Sequence, residues 1–293
     1  MKGYDSICCF RSREDSLGKR VCWELTTDCN LKCPFCHRYG FEPNYYDISC
    51  LKDTVALLKR NNVDNVILSG GEPLLHPHFY FLIDYLKNSG FELDVCSNGM
   101  LINDEAVCKL KDRLSEITIS IDGYEQTRHD GMRQVTGSFE IVREAILRLV
   151  KADIVVHTTT VVDPPFAGEI NRMVRFLYEM GVRSASFIGL IPIELGFNRL
   201  FEPNVQELLE RQFEHARNEY ADMEINTKEL LVSKSKGKCE AGHIVFGMGV
   251  DGSVLHPCLL LRKRDGKSSG SNTAGLCPGS RYLTQQRKET KQA

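Results

Sequence analysis

The chain has 293 residues, 42% hydrophobic and 26% charged, with a formal net charge of −2. Such a composition belongs to a folded protein long enough for one α/β domain plus an appendage, and it excludes a disordered chain. The near-neutral charge argues against nucleic acid as a partner. No apolar run reaches membrane-spanning length, so no membrane association is expected, and the N-terminus lacks a signal peptide's apolar core. Twelve cysteines without a secretion signal point to the cytoplasm, and to metal ligation rather than disulfides.

Six apolar runs read as strands, at 21–26, 66–69, 92–96, 117–121, 154–161 and 184–189. Helix patterns lie between them, at 48–60, 77–88, 104–114, 139–151 and 168–180. Pro77 suits a first helical turn, and Gly90 and Gly181 stand where helices should end. Strict alternation of strand and helix predicts a parallel sheet. After 190 the pattern changes: 192–204 reads as an irregular connector and 205–220 as an amphipathic helix. Asp251-Gly252 between apolar runs predicts a β-hairpin. The expected division is an N-terminal segment at 1–18, a core at 19–200, an extension at 201–262, and a polar, mobile tail at 263–293.

Cys29, Cys33 and Cys36 form a C-x3-C-x2-C run. A four-iron cluster takes four ligands, usually thiolates, so three leave one iron with an open position where a small molecule can bind. Zinc motifs instead close a tetrahedron with a second ligand pair. The nearest fourth ligand here is His37, whose adjacency to Cys36 makes the two side chains diverge. A structural zinc knuckle is the alternative. Three further motifs follow strand ends: Gly70-Gly71-Glu72-Pro73, Ser97-Asn98-Gly99 and Ser120-Ile121-Asp122-Gly123. Glycines allow close backbone approach to a ligand. In parallel α/β folds ligands gather at the C-terminal strand ends, where all these motifs fall.

The cysteine spacing, with Phe35 before the third cysteine and these motifs in order, resembles the radical S-adenosylmethionine (radical SAM) superfamily. The resemblance covers about residues 19–200. It implies a partial (β/α)6 TIM-like barrel with a small C-terminal extension, a [4Fe–4S] cluster on Cys29, Cys33 and Cys36, and SAM at the open iron. It implies that Gly70, Gly71, Glu72 and Pro73 contact the SAM amino group, and that Asn98, Ser120 and Asp122 belong to the same site. Arg133 matches an arginine that pairs with the SAM carboxylate, for which a guanidinium fork is suited. A reducing donor of the flavodoxin or ferredoxin kind is the implied electron partner.

Cys239, Cys258 and Cys277 resemble a reduced SPASM or twitch extension, and imply one auxiliary iron–sulfur cluster. A buried-thiol role is the alternative, and Cys277 is the weakest member. Glu24, within the first strand, needs a partner if buried, and is a candidate for substrate binding or a structural salt bridge. His157 faces either the barrel or the outside, with a structural role favoured. Arg128 and His129 read as solvated loop residues. The expected function is hydrogen abstraction from a small molecule, in decarboxylation, dehydrogenation or epimerisation. The alternatives are peptide or protein maturation, and a non-catalytic iron–sulfur or zinc scaffold. Only 28 residues precede Cys29, which leans the expectation away from an N-terminal peptide-recognition domain.

Overall fold

The computed structural model describes residues 19–36, 41–189, 201–227, 245–253 and 255–256. Its strands are β1 (Lys19–Thr26), β2 (Val63–Gly70), β3 (Glu92–Ser97), β4 (Glu116–Ser120), β5 (Val156–Val162), β6 (Ser184–Gly189), β7 (Glu224–Asn226), β8 (Val245–Met248) and β9 (Leu255–His256). Its helices are α1 (Leu51–Arg60), α2 (Phe79–Asn88), α3 (Asp104–Leu110), α4 (Gln126–Arg133), α5 (Ser138–Lys151), α6 (Ile170–Glu179) and α7 (Pro203–Glu219). The sheet order is β7-β6-β5-β4-β3-β2-β1-β8-β9. Strands β1 to β8 run parallel, and β9 returns antiparallel to β8 with Gly247 opposite His256. The six strands expected from sequence are the six consecutive members β1 to β6, a partial TIM-like barrel.

Alternation along the strands separates two faces. Val21, Trp23 and Leu25 of β1 join Val66, Leu68, Val95, Ile117, Ile119 and Phe187 in one core with the helices. Helix α6 buries Ile170, Met173, Val174 and Leu177 there, one face at i, i+3, i+4 and i+7. Each such side chain stabilises the fold by roughly 1.5–3 kcal/mol.

The other face is polar. At the strand starts Arg20 donates to Asp94 Oδ2 at 2.9 Å and to Asn65 Oδ1 at 3.2 Å. His157 is buried on this face, its Nδ1 2.8 Å from Ser184 Oγ and its Nε2 2.8 Å from Ser186 Oγ. Strand alternation alone did not say which side His157 faces. Higher up, Ser69, Cys96, Thr118, Ser120, Thr159 and Ser186 are only partly buried, which leaves a concave surface lined by small, mostly hydroxylic side chains.

The expected hairpin is present as β8 and β9, with Gly252 near its tip at φ +62°. Thr54 Oγ1 donates to Gly252 O at 3.0 Å, fixing the tip on α1. Two local expectations shift. Helix α2 begins at Phe79, two residues after Pro77, and α3 stops at Leu110, before Asp112 at φ +63°. Helix α4 departs further: Arg128 and His129, read as solvated loop residues, lie within it. The segment Gln-Thr-Arg-His-Asp-Gly-Met-Arg has no apolar period, so it reads as loop. Its buried positions are polar instead, His129 and Arg133, one turn apart.

Candidate functional site

The loop that follows β1 carries the three cysteines. Its entry is fixed by Thr26, whose Oγ1 donates to Asn44 O at 2.7 Å and accepts from Asp28 N at 2.9 Å. A turn with Cys36 N donating to Cys33 O at 3.1 Å sets the spacing of the last two thiols. The end of β2 presses against this loop. Gly71 N donates to Thr26 O at 2.7 Å, and Glu72 N to Asp28 O at 2.8 Å. A Cβ on Gly70 would run into Thr26 O, and one on Gly71 into Asp28 O. The close approach that these glycines permit in the structure is therefore to the cysteine loop itself.

Glu72 is fully buried. Its Oε1 accepts from Leu74 N at 3.2 Å and Ser97 Oγ at 2.9 Å, and its Oε2 from Asn98 N at 2.7 Å. Burial nevertheless pushes its carboxyl up to about 7. Pro73 starts the short 3-10 turn that Glu72 caps. Asn98 reaches back to the cysteine loop: its Nδ2 donates to Asn30 Oδ1 at 2.7 Å and lies 3.7 Å from Cys29 Sγ. Gly99, at φ +82°, completes the turn.

The ends of β4 and α4 close the other side. Asp122 is fully buried; its Oδ1 accepts from Val161 N at 2.8 Å, and its Oδ2 lies 2.7 Å from Arg133 Nη2. Arg133 Nη1 donates to Cys33 Sγ at 3.7 Å, and the guanidinium carbon sits 5.6 Å from the Phe35 ring centre. Asp122 N donates to His129 Nδ1 at 3.1 Å, which assigns the ring proton to Nε2. Burial holds the His129 pKa down at about 4, so it is neutral near pH 7. Sequence reasoning missed His129; its i, i+4 spacing from Arg133 was the available signal. Arg128 is tied to Asp122 O at 2.7 Å, to Val161 O at 3.1 Å and to Asp163 at 3.0 Å.

Two buried polar atoms in this cluster, Arg133 Nε and His129 Nε2, have no hydrogen-bond partner. Leaving such atoms unpaired costs about 1–3 kcal/mol each, the mark of a site shaped for a polar ligand. Burial pushes the Cys29 thiol up to about 11. Among the described residues no three His, Cys, Asp or Glu side chains converge as around a single ion. A tetrahedral zinc needs that convergence, whereas in a cubane each thiolate binds its own iron. The residues present thus fit a cluster with a polar ligand over it.

Of the sequence-predicted residues, Cys29, Cys33, Cys36, Phe35, Gly70, Gly71, Glu72, Pro73, Asn98, Asp122 and Arg133 come together around one loop. Ser120 ends β4 on the inner face, half-buried. Glu24 does not join them: it is buried within β1, in register with Ser69. Cys239, Cys258 and Cys277 lie outside the described residues. No described helix is long and apolar enough to cross a membrane.

The chain resembles two curated proteins over most of its length. It is 30% identical to the AdoMet-dependent heme synthase of Methanosarcina barkeri over 182 residues, 60% of this chain and 52% of that protein. It is 27% identical to the sporulation killing factor maturation protein SkfB of Bacillus subtilis over 246 residues, 81% of this chain and 59% of that protein. The chain thus spans little more than half the length of these relatives. In fold it is similar to Streptococcus suis SuiB bound to S-adenosylmethionine, with a TM-score of 0.69 at 16% identity, covering 83% of this chain and 60% of that one. The model of the radical SAM superfamily matches residues 23–177, more than half of the chain. With the thiol triad on the β1 loop and the strand-end motifs gathered around it, this match makes the chain a member of the radical SAM superfamily.

Proposed function

We propose that Cys29, Cys33 and Cys36 each bind one iron of a [4Fe–4S] cluster, and that Glu72, Asn98, Ser120, Asp122 and Arg133 hold SAM above it. One observation carries this reading: the ends of β2 and β3 and helix α4 all bond to, or press on, the same cysteine loop, and Asp122 after β4 holds Arg133 of that helix. Held by these residues, the cluster and SAM would supply radical chemistry for hydrogen abstraction from a substrate, with a flavodoxin- or ferredoxin-like protein as the electron donor. The protein's own residues bind and orient. Arg133 offers its unpaired Nε–H to a carboxylate, and its ion pair with Asp122 holds the guanidinium still. Glu72 spends three of about four lone-pair sites on Leu74, Ser97 and Asn98, and presents the remainder to an ammonium. Gly70, Gly71 and Pro73 hold Glu72 against the loop, and Phe35 flanks Arg133.

The substrate in this reading is a small polar molecule on the concave face, among Ser69, Cys96, Thr118, Thr159 and Ser186, with Glu24 buried behind them. Decarboxylation, dehydrogenation and epimerisation are the reactions considered. Peptide maturation is the second reading, and the match to SkfB, which extends over 81% of this chain, favours it. In both, residues 19–200 form the core and 201–262 a reduced SPASM-like extension, with Cys239, Cys258 and Cys277 as ligands of one auxiliary cluster. The test is anaerobic reconstitution with iron and sulfide, followed by reduction in the presence of SAM. Formation of 5′-deoxyadenosine is expected. Stoichiometric zinc with no SAM cleavage would leave the scaffold reading instead.

A further inference from the structure

Arg133 is held between two partners of the same sign. Its Nη2 lies 2.7 Å from Asp122 Oδ2, and its Nη1 donates to Cys33 Sγ at 3.7 Å. The guanidinium is buried, so little water screens its charge. Cys29 Sγ has donors as well, Leu31 N at 3.4 Å and Asn98 Nδ2 at 3.7 Å. Asp122 cancels part of the Arg133 charge, at the terminal nitrogen that does not bond the sulfur. From this arrangement we infer that Arg133 and Asp122 act as an opposed pair that sets the reduction potential of a cluster on Cys29, Cys33 and Cys36, Arg133 raising it and Asp122 lowering it. This rests on the assignment of the cluster to those cysteines.

The physical reason is charge. Reduction adds one electron, from a low-potential one-electron donor, and moves no proton. The reduced cluster with its thiolates is one unit more negative than the oxidised one. A fixed cation and N–H···S bonds stabilise the more negative state, whereas a nearby carboxylate opposes it. An arginine guanidinium stays ionised at every working pH. The cation is therefore permanent.

The experiment is a redox titration of the reconstituted protein without SAM, followed by the EPR signal of the reduced cluster. In Arg133→Met the ratio of reduced to oxidised cluster at a fixed potential should fall about tenfold, a downward shift of about 59 mV for a one-electron couple. In Asp122→Asn the shift should be upward. Opposite signs separate an electrostatic role from mere loosening of the site, which would move both variants the same way. Asp122→Asn, which leaves Arg133 in place, serves if Arg133→Met does not fold. An unchanged potential in Arg133→Met, or, where that variant does not fold, in Asp122→Asn, would overturn the inference, as would shifts of one sign in the two variants. Wild-type protein that assembles no four-iron cluster on the three cysteines would sink the assignment beneath it, a different result from a cluster with an indifferent potential.

Discussion

The backbone N–H of Asn98 donates to Oε2 of Glu72 at 2.7 Å, joining the turn after β3 to the one after β2. Glu72 also bonds through its own N–H to Asp28 O at 2.8 Å, so one buried carboxylate residue links the ends of β2 and β3 to the cysteine loop after β1. Its hydrogen bonds favour the ionised form, but burial outweighs them and raises its pKa to about 7 from 4.5.

That shift has a sign for stability. Between about pH 4.5 and 7 the folded protein holds a proton on Glu72 that the unfolded chain has released, so this group's contribution falls as pH rises through that window. His129 acts oppositely, because its lowered pKa costs stability as pH falls from about 6.5 towards 4. Subtracting Glu72→Gln from wild type cancels the His129 contribution. Urea unfolding of metal-free protein from pH 4.5 to 8 should show wild type losing roughly 3 kcal/mol relative to the variant as pH rises. Parallel pH profiles would refute the assignment of that slope to Glu72.

Gly71→Ala should displace the cysteine loop, because the new Cβ falls on Asp28 O. Overpacking of this kind costs about 1–3 kcal/mol, and iron uptake on reconstitution should fall with it. Gly131→Ala is the contrast. Nothing lies within 4 Å of its Cβ position in α4, and alanine should stabilise that helix by up to about 1 kcal/mol. Equal melting temperatures for the two variants would contradict the packing described.

Cys33→Ala should abolish formation of 5′-deoxyadenosine, because it opens a second iron to solvent. If the extension holds an auxiliary cubane, wild type should bind about eight irons and the triple Cys29, Cys33 and Cys36 to Ala variant about four. Changing Cys239 or Cys258 in that triple variant should remove the remainder. A triple variant with no iron would make the extension a cap without a cluster.

SAM affinity distinguishes the two sides of the site. Arg133→Met should weaken binding by about 1.5–3 kcal/mol, the scale of a charge-assisted hydrogen bond, and Ser120→Ala by about 0.5–1.5 kcal/mol. Calorimetry on reconstituted protein measures both. An unchanged affinity in Arg133→Met would take Arg133 out of the SAM site and leave it a neighbour of Cys33 alone.

Much of the framework was legible in the chain because it is written locally. Strand β2 reads from Val66-Ile67-Leu68, helix α6 from its period, and the cysteine loop from spacing. His129 and Arg128 were not legible: the face of α4 that is buried is polar, and no apolar period marks it. The three residues of β7 carry too little pattern to be read as a strand. Strand β8 is apolar, but nothing within it says that it pairs parallel to β1, more than 200 positions earlier, with Arg20 beside Val245.

The sequence by itself determined the order of β1 to β6 and of the helices between them other than α4, the thiol triad and the strand-end motifs, since each depends on neighbours within a few positions. Only the tertiary structure decided what Gly70 and Gly71 accommodate, which side of the sheet His157 faces, and that Asp122 and Arg133 meet beside Cys33. These are contacts between segments up to 100 residues apart. Their geometry is set by how the strands stack in register, and local pattern does not carry that information.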